Sequence, residues 1–152
     1  MRKILLTLIL VVLAAASIVA VDSKKEVMRP IHQFVDSLNK GDLKTMAAAC
    51  AEQTSIIDEF PPHEWHGAGA CSNWANDYNT DAQKNGITDG ALKLGIPRHI
   101  DIAGDNAYVV VPANYTFKQK GKLVREIRAT FTVALHNGEG GWRITGWSWS
   151  KP

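Results

Sequence analysis

The sequence predicts an α+β domain in which three helices pack on a strongly curved antiparallel sheet and leave a cone-shaped pocket. Three observations predict it. Apolar residues recur at gaps of three and four in two early segments, as on one face of a helix. The second half instead alternates apolar and polar residues with a period of two, the mark of strands with one buried face. Gly-, Asn- and Asp-rich turns separate the long late strands, so they follow one another as a meander. Long strands with bulge-prone Gly and Pro curl, and helices closing a curled sheet leave a concave cavity.

The elements follow in order. Val27, Ile31, Phe34, Val35 and Leu38 form one face of a first helix from Lys24 to Asn39, which Gly41 stops. Pro30 lies early enough in it to be tolerated. Asp42 caps a short second helix through Leu43, Met46, Ala47 and Cys50. Thr54 to Phe60 reads as a strand that Pro61-Pro62 ends. Gly67 opens a third helix carrying Ala70, Cys71, Trp74, Tyr78 and Ala82, and Asn85-Gly86 closes it. Leu92 to Ile102 is a strand interrupted near Pro97. Ala107 to Lys118, Leu123 to His136 and Trp142 to Ser150 follow, separated by turns at Gly104-Asp105-Asn106, Lys120-Gly121 and 137–141. In the strand from Leu123, the alternation places Ile127, Ala129, Phe131, Val133 and Leu135 on the buried side. Glu126, Arg128, Thr130 and Thr132 then take the wetter side, where cross-strand ion pairing accounts for the charges.

The chain has 152 residues, and its beginning has the layout of a secretory signal. Arg2 and Lys3 precede an apolar run from Ile4 to Ala16, small residues Ala14 to Ser17 come next, and cleavage is expected after Ala16 or Ala20. This expectation divides the chain into a signal at 1–20 and a domain at 24–151, exported to a periplasm or secreted. The alternative is an uncleaved membrane anchor, for which the run is at the short end. Of 17 Lys+Arg against 15 Asp+Glu, Arg2 and Lys3 lie in the leader, so the remainder is neutral. Nothing in it resembles a basic stripe interleaved with aromatics, and no nucleic-acid partner is expected. Cys50 and Cys71 are expected to form a disulfide in an oxidising compartment, the alternative being two buried thiols.

The stretch from Thr54 to Gly67 holds the strongest candidate for chemistry. Asp58 stands where an apolar run ends, and a partly desolvated carboxylate there has a raised pKa suited to proton transfer. It can equally serve only to begin the turn before the prolines. His63 and His66 have a metal-compatible spacing but lie in a loop without a third ligand, so no metal is expected. His99 and Asp101 share a strand face with no nucleophile beside them. Trp147 and Trp149 share a face of the last strand, and Trp74 lies on a covering helix. Three indoles converging there would form an apolar site, unless they fill it by packing.

The order of elements and several local motifs resemble the nuclear transport factor 2-like superfamily, which includes SnoaL-like cyclases and ketosteroid isomerases. The motifs are Gly41-Asp42, Ala51-Glu52-x-x-Ser55-Ile56-Ile57-Asp58, His66-Gly67 and Gly141-Trp142-Arg143-Ile144, spread between Val27 and Ser150. The resemblance implies that Asp58 matches the general base of the isomerases. It also implies a pocket lined by Phe34, Trp74, Tyr78, Tyr108, Ala129, Phe131, Trp147 and Trp149. The isomerases' two oxyanion donors would fall at Phe34 and at or beside Ala129, where neither side chain can donate a hydrogen bond. The fold hosts many activities, so three readings follow. The first is a binder of a small apolar molecule, without cofactor. The second is an enzyme using Asp58 as base, with Tyr78 or Asn114 replacing the missing donors. The third is a module dimerising through its outer sheet face. A membrane is expected as a partner only through an uncleaved leader.

Overall fold

The structure is a computed structural model and describes residues 23–152. The expected signal segment lies outside the described residues. Among those residues no helix is long and apolar enough to cross a membrane.

Helix α1 (23–40) buries Val27, Ile31, Phe34 and Val35, the face its spacing predicts. Gly41 leaves it with φ of 71°. Asp42 then caps α2 (Leu43–Ala47), its Oδ1 accepting the Thr45 N–H at 3.0 Å. Cys50 does not belong to α2, as expected, but is the first residue of β1 (Cys50–Ile57). The segment 50–53 joins the sheet because it pairs with the last strand, Cys50 lying beside Ile144, and its own sequence carries no alternation. After β1 the chain turns into a short strand that the periodicity missed, β2 (Glu64–Ala68). Trp65 is the one buried residue in its five, which is too little to make a period visible. Helix α3 (Ala70–Asn85) therefore begins three residues later than Gly67, after Gly69 in the left-handed conformation. A second left-handed glycine, Gly86, ends it.

The remaining strands are β3 (Ile87–Leu94), β4 (His99–Ala103), β5 (Asn106–Gln119), β6 (Lys122–Gly138) and β7 (Gly141–Ser150). They are ordered β2-β1-β7-β6-β5-β3, with β4 continuing beside the other half of β5. The break near Pro97 thus separates two strands along one edge. The sheet is mixed and not wholly antiparallel: β1 and β7 pair in parallel. Parallel neighbours need a long connection, and here almost the whole domain lies between them. Apolar side chains of α1, α3 and the concave face of β5, β6 and β7 form the core.

A bulge between β5 and β6 decides what the concave face displays. Ala113 pairs with Ala129 and Tyr115 with Glu126, so Ile127 and Arg128 together oppose Asn114 alone. Arg128 adopts φ of 68°, and its N–H donates to Asn114 Oδ1 at 3.0 Å. One inserted residue inverts the alternation. Ala129, Phe131, Val133 and Leu135 are buried as expected, but Ile127 is 43% exposed. Glu126 turns inward instead, its side chain only 11% exposed. Glu126 and Arg128 therefore do not share one polar face as expected.

Cys50 and Cys71 are joined in a disulfide, with Cα atoms 6.6 Å apart. The bond fastens the start of β1 to the first turn of α3. Both elements supply the site described next.

Candidate functional site

A half-open cavity of about 90 Å³ lies between α1, α3 and the concave sheet. Asp58 reaches it because β1 ends at Ile57 and the hairpin loop holds the next residue in place. The Asp58 N–H donates to the His63 carbonyl at 3.0 Å, and the His63 N–H to the Phe60 carbonyl at 3.0 Å. The carboxylate accepts two hydrogen bonds, from the Glu59 N–H at 2.7 Å and from Trp74 Nε1 at 2.8 Å. Burial pushes its pKa up from 3.8 to about 6, against the smaller lowering effect of those two bonds.

Aromatic rings form the walls. Trp74 stacks on Tyr78 at 5.6 Å and meets Trp147 edge-on at 4.9 Å. Phe34 packs on Trp74, Phe131 and Trp147 at 5.7–6.1 Å. Phe60, from the hairpin loop, meets Tyr78 at 5.9 Å. Among the described residues the buried Trp147 Nε1 has no hydrogen-bond partner.

The polar groups facing this aromatic shell are few. The Tyr78 and Tyr115 hydroxyls are hydrogen-bonded to each other, from α3 to β5. Burial raises the pKa of both phenols, so they stay protonated and able to donate. Glu126, beside Tyr115 in the register, has a pKa raised by burial and then by the neighbouring Glu59. Lys151 Nζ lies 2.9 Å from Glu59 Oε1 and 3.4 Å from Glu126 Oε1.

The cavity brings together Phe34, Asp58, Trp74, Tyr78, Phe131, Trp147 and Trp149 of the residues singled out from sequence. Tyr108 and Ala129 are placed elsewhere. Tyr108 is 47% exposed and lies against His99 at 6.1 Å on the other side of β5. Ala129 is wholly buried beside Ala113 in the core. Asn114, weighed as a substitute donor, points to the bulge and holds Arg128. Tyr115 lines the cavity in its stead. The alternation Val109, Val111, Ala113 already excludes Tyr108 and includes Tyr115, so that signal was present in the sequence. Glu59, Phe60, Leu38 and Leu92 also line the cavity. Periodicity places Leu38 on the buried face of α1, whereas loop geometry or partial burial hides the other three. His66 Nε2 lies 3.3 Å from Glu64 on the exposed hairpin, and His63 Nδ1 lies 3.2 Å from the Asp58 carbonyl. His99 and Asp101 are exposed on β4.

A helical layer closing a curved sheet around a pocket is the architecture of nuclear transport factor 2-like proteins, and comparison with solved structures agrees. A nuclear transport factor 2-like protein with a cystatin-like fold from Novosphingobium aromaticivorans is 14% identical, with 91% of this chain and 87% of that one covered and a TM-score of 0.71. A nuclear transport factor 2-like superfamily protein from Salmonella enterica serovar Typhimurium is 20% identical over 88% of this chain and 93% of that one, with a TM-score of 0.72. A ketosteroid isomerase-like protein from Erwinia carotovora is 16% identical over 82% and 92%, with a TM-score of 0.64. Within this fold, the profile of the SnoaL-like domain matches residues 27–152, and the chain belongs to that family. No curated protein matches it.

Proposed function

We propose that the cavity binds a small, largely apolar molecule carrying one hydrogen-bonding group, which Asp58 and the Tyr78–Tyr115 pair address. One observation carries this reading: the Asp58 carboxylate lines a solvent-open cavity whose other walls are mostly aromatic. A carboxylate serving only a turn gains nothing from being desolvated. Here burial works against its ionisation, an arrangement that favours exchange of a proton or a strong hydrogen bond with a bound group.

A pKa of about 6 also favours a second reading, in which Asp58 is a general base. It would accept a proton from the ligand while a tyrosine hydroxyl donates to the oxygen on which negative charge develops. Tyr78 and Tyr115 supply hydroxyls where Phe34 and Ala129 supply none. The disulfide and the apolar leader sequence support the reading of the chain as exported.

Three indoles line the cavity, so tryptophan fluorescence reports occupancy. Titration with phenol, 2-phenylethanol and cyclohexanone is expected to give saturable quenching with at least one of them. Asp58→Leu is expected to weaken the binding of the hydroxylated ligands about tenfold, the cost of a lost charge-assisted hydrogen bond. A strictly linear response to every ligand would remove the binding reading.

A further inference from the structure

A second cavity adjoins the first. It has about 250 Å³ and lies between the α1–α2 corner, α3 and β3. The two share Leu38, Tyr78, Leu92 and Tyr115, so the wall dividing them consists of two leucines and the hydrogen-bonded tyrosine pair. Their linings differ in character. The inner cavity is aromatic, whereas the outer one presents Asn39, Asn79, Thr88 and Asp89 among apolar residues. Neither is large enough alone to enclose an ordinary small-molecule ligand, since such sites begin at about 300 Å³. The inner one is half-open, so it seats a ring without enclosing it. Joined, they come into that range.

Local irregularity in β3 makes room for the dividing wall. Thr88 pairs with Lys118 and Ala91 with Thr116, so Asp89 and Gly90 together bow out opposite Phe117. Asp89 takes φ of 55° at this bulge. A Cβ on Gly90 would lie 2.7 Å from the Tyr115 hydroxyl oxygen, so only glycine leaves Tyr115 its place. Tyr115 is supported from behind by Phe117, stacked at 4.9 Å. The Asn39 side chain fixes the roof, donating to the Leu92 carbonyl and accepting from its N–H, both at 2.8 Å. The roof is pinned by those two bonds, whereas one hydroxyl–hydroxyl bond closes the wall.

The geometry points to a single two-chamber site, divided by Tyr78 and Tyr115, for an elongated amphipathic molecule. Its apolar ring occupies the inner chamber and its uncharged polar tail crosses to Asn79 and Thr88 in the outer one. This rests on the binding reading above and adds the shape of the ligand and the moving part of the wall. The tyrosine hydroxyls part as the tail crosses, so this one bond sets the barrier to entry.

Affinities of 2-phenylethanol and 6-phenylhexan-1-ol for the protein, compared by tryptophan fluorescence, test it. Each buried methylene is worth about fourfold. With part of the tail against polar groups, the longer alcohol is expected to bind at least tenfold more tightly. Asn79→Trp, which fills the outer chamber from α3, is expected to reduce that advantage below threefold and leave 2-phenylethanol within twofold of its original affinity. Thr88→Trp fills the same chamber from β3 and repeats the test if the first variant does not fold. Tyr115→Phe keeps the ring and removes the hydroxyl link, and is expected to speed association of 6-phenylhexan-1-ol at least threefold. An advantage absent from the unmodified protein, or undiminished in both tryptophan variants, overturns the two-chamber site while leaving the inner cavity's binding intact. Unchanged or slower association in Tyr115→Phe overturns the wall's role. Failure of 2-phenylethanol itself to bind removes the underlying reading and this one with it.

Discussion

Asp58→Asn is expected to be more stable than the unmodified protein at pH 7, by about 2 kcal/mol, and equal to it at pH 3.5. The sign follows from the raised pKa. In the unfolded chain the carboxyl loses its proton near 3.8, whereas in the fold burial holds the proton until about 6. Between those values the folded state binds more protons, so stability falls as pH rises and levels off above about 6. The full difference corresponds to about 3 kcal/mol, and water reaching the open cavity reduces it. Asparagine keeps the shape, still accepts one of the bonds from Trp74 Nε1 or Glu59 N, and does not ionise. Urea denaturation of both proteins at the two pH values checks this. An Asn variant less stable at pH 7 would mean that the two bonds outweigh the burial, making Asp58 a structural residue. Stabilisation by removing a charged group is the usual sign of a site kept at a cost in stability.

The second large effect concerns the disulfide. Paired replacement of Cys50 and Cys71 by alanine, or full reduction, is expected to lower stability by about 3 kcal/mol, the loop-closure term for a sequence separation of 21. Cys71 is 3% exposed, so alanine is the suitable replacement, since serine would bury a hydroxyl. Trp74 stands one turn beyond Cys71 and donates to Asp58. Loosening the first turn of α3 is therefore also expected to weaken ligand binding more than a comparable destabilisation elsewhere in the fold. Denaturation midpoints with and without reductant measure the first effect, and an unchanged midpoint would contradict it.

These predictions separate what periodicity can read from what it cannot. The helix face of Val27, Ile31, Phe34 and Val35 was legible because a single geometry holds along the whole of α1. The later strands were legible until a bulge intervened. At Ile127 and Arg128 one extra residue inverts the alternation, and the chain gives no composition signal for it. That bulge also turns Glu126 inward, against the alternation. Strand β2 was hidden for a different reason, since its pairing with β1 and not its own pattern makes it a strand. The parallel contact of β1 with β7 is equally invisible, being a pairing between residues about ninety positions apart. Asp58 itself could be found from the end of an apolar run before a proline turn. Its partner Trp74 Nε1 could not, because that bond depends on how α3 lies over the hairpin. The parity of β5 points Tyr115 to the cavity side and excludes Tyr108, which has the opposite parity.

A desolvated Asp58 carboxylate at the proposed binding cavity is open to a direct check, a carbon-13 NMR titration of that side chain. The carboxyl resonance, assigned with Asp58→Asn, is followed from pH 3 to 8 with and without saturating 2-phenylethanol. The expected midpoint is near 6 in the free protein, and a shift of that midpoint is expected when the ligand displaces water from the cavity. A midpoint near 4, unmoved by the ligand, would contradict both the desolvation of Asp58 and its place at the proposed binding site.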